Sequence, residues 1–347
     1  MKGKSPERIF ALILKKTALS LSFAALIPAL TACYGAPAGE SRNLFSMDTV
    51  MTMTAYGDNA ASALTQAEQK IKQLNGLFSV TDENSEIYRI NESEQPINVS
   101  ADTKNAVIRA LQANELTGGA FDITLRPVSK LWGFTSSSAH VPEKEQITAA
   151  LKKTGKDLIS ISENQISCGG ELDLGGIAKG YAAACVREIF ASNGIEHAVV
   201  SLGGNVMLCG TKPDGQPWNV GIIHPSEQDM LLGTLKASDT AVVTSGMYER
   251  NFEQDGKIYH HIIDPETGYP ADSGIISATV ITKDDTLADA LSTALFVMGP
   301  QRAYELWQKQ DGFEMILVTD STVMVTEGIF SDFELEDNSF TLEKIEK

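Results

Sequence analysis

The spacing of apolar residues divides the chain into helical and extended stretches. Leu64, Ala67, Ile71, Leu74 and Phe78 recur every three to four positions, the pattern of one face of an amphipathic helix. A second helix is predicted over 102–116, closed by Gly118-Gly119. A short third covers 142–153, and a fourth runs over 177–192 to Asn193-Gly194, a favourable C-terminal cap. Two more follow at 287–297 and 300–310. Between them lie β-rich runs. Residues 47–56 alternate hydroxyl and apolar side chains and end at Gly57-Asp58, as a half-buried strand and its turn do. Further strands are predicted at 197–209, 218–224, 231–237 and 274–282, with a closing hairpin from 314–318 to 322–326. Residues 241–253 and 257–264 flank Asp255-Gly256, a strong hairpin signal. Several hairpins, and no long run of β-α-β units, argue against a doubly wound nucleotide-binding fold. The expectation is α+β: a single compact domain with a mixed, largely antiparallel sheet core and packed helices.

The first 33 residues follow a different rule. Lys2, Lys4, Arg8, Lys15 and Lys16 precede an apolar run over 17–30, and Leu30-Thr31-Ala32-Cys33 then supplies the small residues and cysteine of a lipoprotein processing site. The run is shorter than the roughly 20 residues of a spanning helix. The predicted organisation is therefore a signal peptide over 1–32, a lipidated tether over 33–43 beginning at Cys33, and one domain over 44–347. That arrangement predicts a membrane-anchored lipoprotein facing the extracytoplasmic side, in contact with the membrane through its lipid.

Composition adds limits. Hydrophobic residues at 43% and charged residues at 21% are ordinary for a globular protein. The net charge of −17 and the lack of any basic stripe exclude nucleic acid as an expected partner. Besides Cys33 there are Cys168, Cys185 and Cys209, with no C-x-x-C spacing, so neither a disulfide nor a zinc site is assigned.

Candidate chemistry begins with Asp289 and Thr293. They lie four apart, so a helix presents both oxygens on one face, a partial site for a hard cation such as Mg²⁺. Glu171-Leu172-Asp173-Leu174-Gly175-Gly176-Ile177-Ala178-Lys179-Gly180 places glycines at a strand-to-helix transition, where free N–H groups favour phosphate. Lys179 sits in the first turn, opposing the helix dipole unless an anion balances it. The spacing is not that of a P-loop. Asp122, after Gly118-Gly119-Ala120-Phe121, offers acceptors to a ligand that approaches over small residues. Gly203-Gly204 reads as a bulge or a close ligand approach. His260 and His261 are adjacent and face opposite sides of a strand, which disfavours a histidine–zinc site. Ser245, Arg250 and His261 are expected to approach one another across the hairpin.

These segments occur in a recognisable order. Met47-Asp48-Thr49, Gly119-Ala120-Phe121-Asp122, Leu172 to Gly180, Ser201-Leu202-Gly203-Gly204-Asn205, Thr244-Ser245-Gly246, His261-Ile262-Ile263-Asp264-Pro265 and Ala288 to Thr293 together resemble the ApbE-type FAD:protein FMN transferases. The resemblance spans about residues 44–330. It implies Mg²⁺-dependent transfer of FMN from FAD to a threonine hydroxyl of an acceptor protein, with release of AMP. It further implies that Met47, Ala120, Phe121 and Asp122 contact FAD, with Asp173 and Lys179 on its other parts and Ile263 against the flavin or adenine. The cation would be held by Asp289, Thr293 and the carbonyl of Gly176. Asp289 as a ligand makes a poor base, which leaves His261 to handle the proton or orient its loop. The acceptor implied is an extracytoplasmic electron-transport subunit. Two positions depart from the family pattern. Thr81 stands where some members carry an aromatic residue, and Ser292 where some carry an acid. The alternative readings are a flavin-binding or electron-transfer lipoprotein without turnover, and an Mg²⁺-dependent FAD pyrophosphatase giving FMN and AMP.

Overall fold

The computed structural model describes residues 39–134 and 138–347. Cys33, the 1–32 signal and the start of the tether lie outside the described residues. The described residues belong to one unit. Its centre is a nine-stranded sheet in the order β1 (Glu40–Ser46), β2 (Thr49–Tyr56), β6 (His197–Leu202), β7 (Asn205–Cys209), β10 (Ala241–Gly246), β13 (Ser277–Thr282), β14 (Phe313–Val318), β15 (Thr322–Thr326) and β17 (Thr341–Ile345). Every neighbouring pair is antiparallel except β15 with β17, so the sheet is mixed and largely antiparallel as expected.

One face of this sheet carries the helices. Helix α1 (Ala60–Phe78) buries Leu64, Ala67, Ile71, Leu74 and Phe78, the stripe its sequence spacing marks. The short α2 (Glu86–Asn91) and the longer α3 (Ala101–Leu116) each start on a serine whose hydroxyl accepts a backbone N–H, from Tyr88 and Thr103. Helix α4 (Arg126–Trp132) and helix α5 (Lys144–Leu151) enclose a small aromatic core around Trp132. Helix α6 (Ala178–Ser192) packs against α7 (Asp285–Lys309), which kinks at Gly299 before Pro300. The two helices predicted at 287–297 and 300–310 are the two arms of α7, which begins at Asp285.

The other sheet face is covered in part by a three-stranded sheet, β16 (Phe333–Leu335), β9 (Leu231–Ala237) and β8 (Trp218–Ile223). A third sheet pairs β3 (Ile97–Asn98), β5 (Gln165–Cys168) and β4 (Ile159–Ser162). Strands β11 (Asn251–Gln254) and β12 (Lys257–His260) form the hairpin at Asp255-Gly256.

Four local expectations need correction. The arm predicted over 241–253 is two strands, β10 ending at Gly246 in the central sheet and β11 starting at Asn251 in its own hairpin. β1 begins at Glu40, so the last residues of the 33–43 tether are strand. The predicted strand 47–56 starts at Thr49, because Met47 and Asp48, at φ 49° and 59°, make the two-residue turn of the β1–β2 hairpin. The predicted strand 197–209 is two strands, reversed at Gly203 (φ 61°) and Gly204 (φ 92°). A Cβ on Gly203 would fall on the Thr49 side chain of the neighbouring strand, so glycine is needed there for conformation and for space.

Candidate functional site

The start of α7 meets the start of α6 at one end of the sheet. Asp284 caps α7, its Oδ1 accepting from the Leu287 N–H at 3.0 Å. Asp285, 3% exposed, takes both arms of the Arg187 guanidinium, at 2.7 and 2.9 Å, and ties the two helices together. Asp289 follows one turn later. It is 4% exposed, and its Oδ2 accepts from the Gly180 N–H at 2.8 Å. The helices touch so closely here that a Cβ on Gly180 would sit 2.5 Å from the Asp285 carbonyl oxygen and 2.6 Å from Asp289 Cβ.

Around Asp289 the donors are all oxygens. Thr293 Oγ1 lies 3.3 Å from Ser245 Oγ, at the end of β10. Ser245 Oγ is also 2.8 Å from Ser292 Oγ, and Ser292 donates to the Asp289 carbonyl. Ser292, the departure noted above, is thus used up within the protein. Gly176, in the turn before α6, points its missing side chain between Phe121 and Thr293, at 3.0 and 3.9 Å. Asp289, Thr293 and Gly176 are therefore brought together. Among the described residues Asp289 has no ion-pair partner, although it is buried. A buried carboxylate without a counter-charge, beside a hydroxyl and a close-approach glycine, fits a hard cation. No cluster of three or more His, Cys, Asp and Glu side chains suited to a metal is found among the described residues. A cation at Asp289 would need water or phosphate oxygens to complete its shell.

The positive side of the site comes from Lys179. Its Nζ donates to the Gly203 carbonyl at 3.4 Å, bridging the first turn of α6 to the β6–β7 turn. Glu249 stands over the same turn, its Oε1 3.6 Å from where a Gly204 Cβ would be. Surrounding protein pushes the Glu249 carboxyl up, Lys179 and Arg250 pull it back, and Asp289 raises it further. Its side chain still reaches solvent, which tempers the whole effect. His261 donates its backbone N–H to the Arg250 carbonyl at 3.0 Å. Burial, then the charge of Arg250, depress its imidazole to about 4, so the ring is neutral at neutral pH. Its Nδ1 is buried, with no partner among the described residues. His260 turns the other way, Nε2 3.0 Å from the Ala271 carbonyl and edge-on to Phe296. Ser245 instead joins the α7 hydroxyls, so the expected approach of Ser245, Arg250 and His261 holds for the last two.

The remaining predicted residues are held by contacts of their own, and Phe121 reaches the centre through Gly176. Asp122 Oδ1 accepts from Thr124 N and Oγ1, at 2.7 and 2.6 Å, and Asp173 Oδ1 from Gly175 N at 2.8 Å. The two loops run side by side, Asp173 N–H donating to the Ile123 carbonyl at 2.8 Å. Arg126 reaches Glu171 at 3.2 Å and Asp173 at 3.9 Å. Ala120 and Phe121 are buried, with Asn114 Nδ2 holding the Phe121 carbonyl at 2.8 Å. Ile263 is buried in the aromatic core with Trp132. Met47, at the hairpin tip, donates its N–H to Asn75 Oδ1 at 2.8 Å, and Asp48 pairs with Arg250 at 3.6 Å. Asn75, Arg126 and Glu249 were not singled out by sequence. Each lies far in the chain from what it touches, so no local pattern marks it.

A model of the ApbE family matches residues 47–317, from the hairpin tip through β14 and across every segment just described. The chain belongs to the ApbE family. Among its curated ApbE relatives, the FAD:protein FMN transferase of Vibrio cholerae is 37% identical over 265 residues, 74% of this chain and 79% of that protein. The FAD:protein FMN transferase of Treponema pallidum is 31% identical over 332 residues, 88% and 91% of the two chains. Among solved ApbE structures, the Thermotoga maritima protein superposes with a TM-score of 0.76 at 34% identity, covering 86% of this chain and 97% of its own. The flavin transferase of Vibrio cholerae superposes at 0.73 with 30% identity, covering 87% and 99%. The ApbE fold is thus shared along nearly the whole length of these relatives.

Proposed function

We propose that this chain is an FAD:protein FMN transferase that moves FMN from FAD to a threonine hydroxyl of an acceptor protein and releases AMP. The observation that carries the reading is the buried, unpaired Asp289 carboxylate set between Thr293, Gly176 and the Lys179-bearing turn of α6. Asp289, Thr293 and the Gly176 carbonyl would hold Mg²⁺, which when bound neutralises phosphate charge. Lys179 supplies a second positive charge to the pyrophosphate, releasing the Gly203 carbonyl as it does so. The acceptor hydroxyl attacks the phosphorus on the riboflavin side. A P–O bond to threonine forms, the bond to the AMP phosphate breaks, and AMP leaves with that oxygen. The hydroxyl proton needs an acceptor, and His261, whose Nδ1 has no partner among the described residues, would take it or hold its loop in place. Phe121 packs under Gly176 and fixes the floor of the turn. The Lys-rich start, apolar run and Cys33 support a lipid-anchored enzyme facing the extracytoplasmic side, where an electron-transport subunit would be its acceptor.

The test incubates the soluble domain with FAD, Mg²⁺ and an acceptor domain bearing the target threonine, followed by mass spectrometry and AMP quantitation. Acceptor gain of one FMN, matched by AMP and dependent on a divalent cation, is expected. Tight FAD binding with no AMP would instead identify a flavin carrier. FMN and AMP formed at equal rates with and without acceptor would identify a pyrophosphatase.

A further inference from the structure

Asn205 opens β7 immediately after the Gly203-Gly204 turn. It is 1% exposed, and among the described residues neither its amide nitrogen nor its carbonyl oxygen has a hydrogen-bond partner. It is the only side chain among the described residues with two such unpartnered atoms. Its direction follows from the strand. Asn205, Met207 and Cys209 share one face of β7, and Met207 and Cys209 sit in the core that α1 and α6 close. Asn205 therefore points to the helix side. There its Cα partner on β10 is Val243, two residues before Ser245 on the same face, and Ser245 bonds to Thr293. Above it, the Gly203 carbonyl holds Lys179. The carboxamide thus lies under the turn that joins the lysine and hydroxyl sides of the site.

A buried amide without partners is destabilising, and an apolar side chain of the same size would avoid that cost. Local architecture gives no use for the group, since no atom among the described residues takes its hydrogens or its oxygen. We propose that Asn205 is a positioning residue for the phosphate end of the substrate, taking its partner from an oxygen that arrives with the ligand. That oxygen belongs either to the pyrophosphate, which accepts from the amide N–H, or to a cation-bound water, which donates to the amide carbonyl. The inference rests on the transferase reading above.

The test compares Asn205→Leu, Asn205→Ala and Asn205→Asp with the unaltered protein. Thermal unfolding is measured without ligand, and binding is followed by FAD fluorescence and calorimetry with FAD alone, Mg²⁺ alone and both. Asn205→Leu is expected to melt at or above the temperature of the unaltered protein without ligand, yet to bind FAD with Mg²⁺ about 10-fold more weakly or worse. Asn205→Asp keeps the acceptor and loses the donor. Weak binding of FAD by this variant assigns the pyrophosphate oxygen, whereas retained or tighter Mg²⁺ binding assigns the water. Loss of stability or of folding in both the leucine and alanine variants overturns the proposal, as does unchanged ligand affinity. Binding is read without turnover, so an unaltered protein that binds no FAD refutes the transferase reading itself. One that binds FAD equally in all variants refutes only the role of Asn205.

Discussion

Gly180→Ala should damage both the fold and the site, against the ordinary helix preference for alanine. In a free helix interior the change gains about 1 kcal/mol. At Gly180 the new methyl would lie 2.5 Å from the Asp285 carbonyl oxygen, 2.6 Å from Asp289 Cβ and 3.1 Å from Thr286 Cα. Two of these neighbours are backbone and cannot rotate away, so overpacking should fall in the upper part of its usual range, about 2–3 kcal/mol. The net loss is about 1–2 kcal/mol, a fall in melting temperature of roughly 1.5–3 °C for a domain of about 300 residues. Relief requires α6 and α7 to part by about an ångström, and a shift of that size in a positioned group can cost up to about 100-fold in activity. Gly76→Ala, in α1 with nothing within 4 Å of its new Cβ, is the control and should stabilise by up to about 1 kcal/mol. Calorimetry on both variants, with Mg²⁺-dependent FAD binding measured in parallel, decides the matter. A Gly180→Ala protein that melts as high as Gly76→Ala and binds FAD normally would refute the close helix contact and its role in placing Asp289.

Other expectations follow from single contacts. Asp289→Asn keeps an oxygen for the Gly180 N–H but removes the charge. It should fold normally and lose Mg²⁺-dependent FAD binding by roughly 10- to 150-fold, checked by calorimetry. Lys179→Ala should weaken FAD retention over the same range, and a silent change would mark Lys179 as a solvated helix residue. His261, held near 4 against an ordinary 6.5, stays neutral in the fold while the unfolded chain protonates. Its contribution is therefore complete above about 6.5 and lost as pH falls toward 4, up to about 3 kcal/mol. In His261→Gln, denaturant titrations across that window should show a shallower acid loss. Cys33→Ala should release the protein from membranes with the soluble domain's activity unchanged; a mature N-terminus elsewhere, without lipid, would sink the anchor.

The long helices were legible because their core contacts fall on one repeating stripe, as Leu64 to Phe78 do in α1. β1 was not, since only Leu44 and Ser46 of its seven residues face the core and the rest read as a polar tether. α2, α4 and the β3–β5–β4 sheet are too short to show a period, and tertiary packing defines them. In the site, Asp289 and Thr293 could be paired from helix geometry alone. The order of the glycine-bearing segments carried the family. What sequence could not supply was anything created by the sheet order: Glu249 over Gly204, Lys179 on Gly203, Met47 on Asn75. Gly203-Gly204 was left between a bulge and a ligand approach, and it proved to be the hairpin turn against which Lys179 rests.

The order of the nine strands also governs how the protein reaches this state. β2 pairs with β6, setting Met51 opposite Leu202, with helices α1 to α6 in the intervening chain. Closing a loop of that length costs on the order of 4–5 kcal/mol of chain entropy before any of the pairing is gained. Sheets dominated by such distant pairings fold slowly, and their strand edges stay open to wrong partners in the meantime. The proposed flavin site draws on residues from Met47 to Thr293, so it cannot assemble until that closure is complete. Under the proposed function, FAD with a cation would bind only the finished molecule, slowing its unfolding and leaving the rate of folding alone.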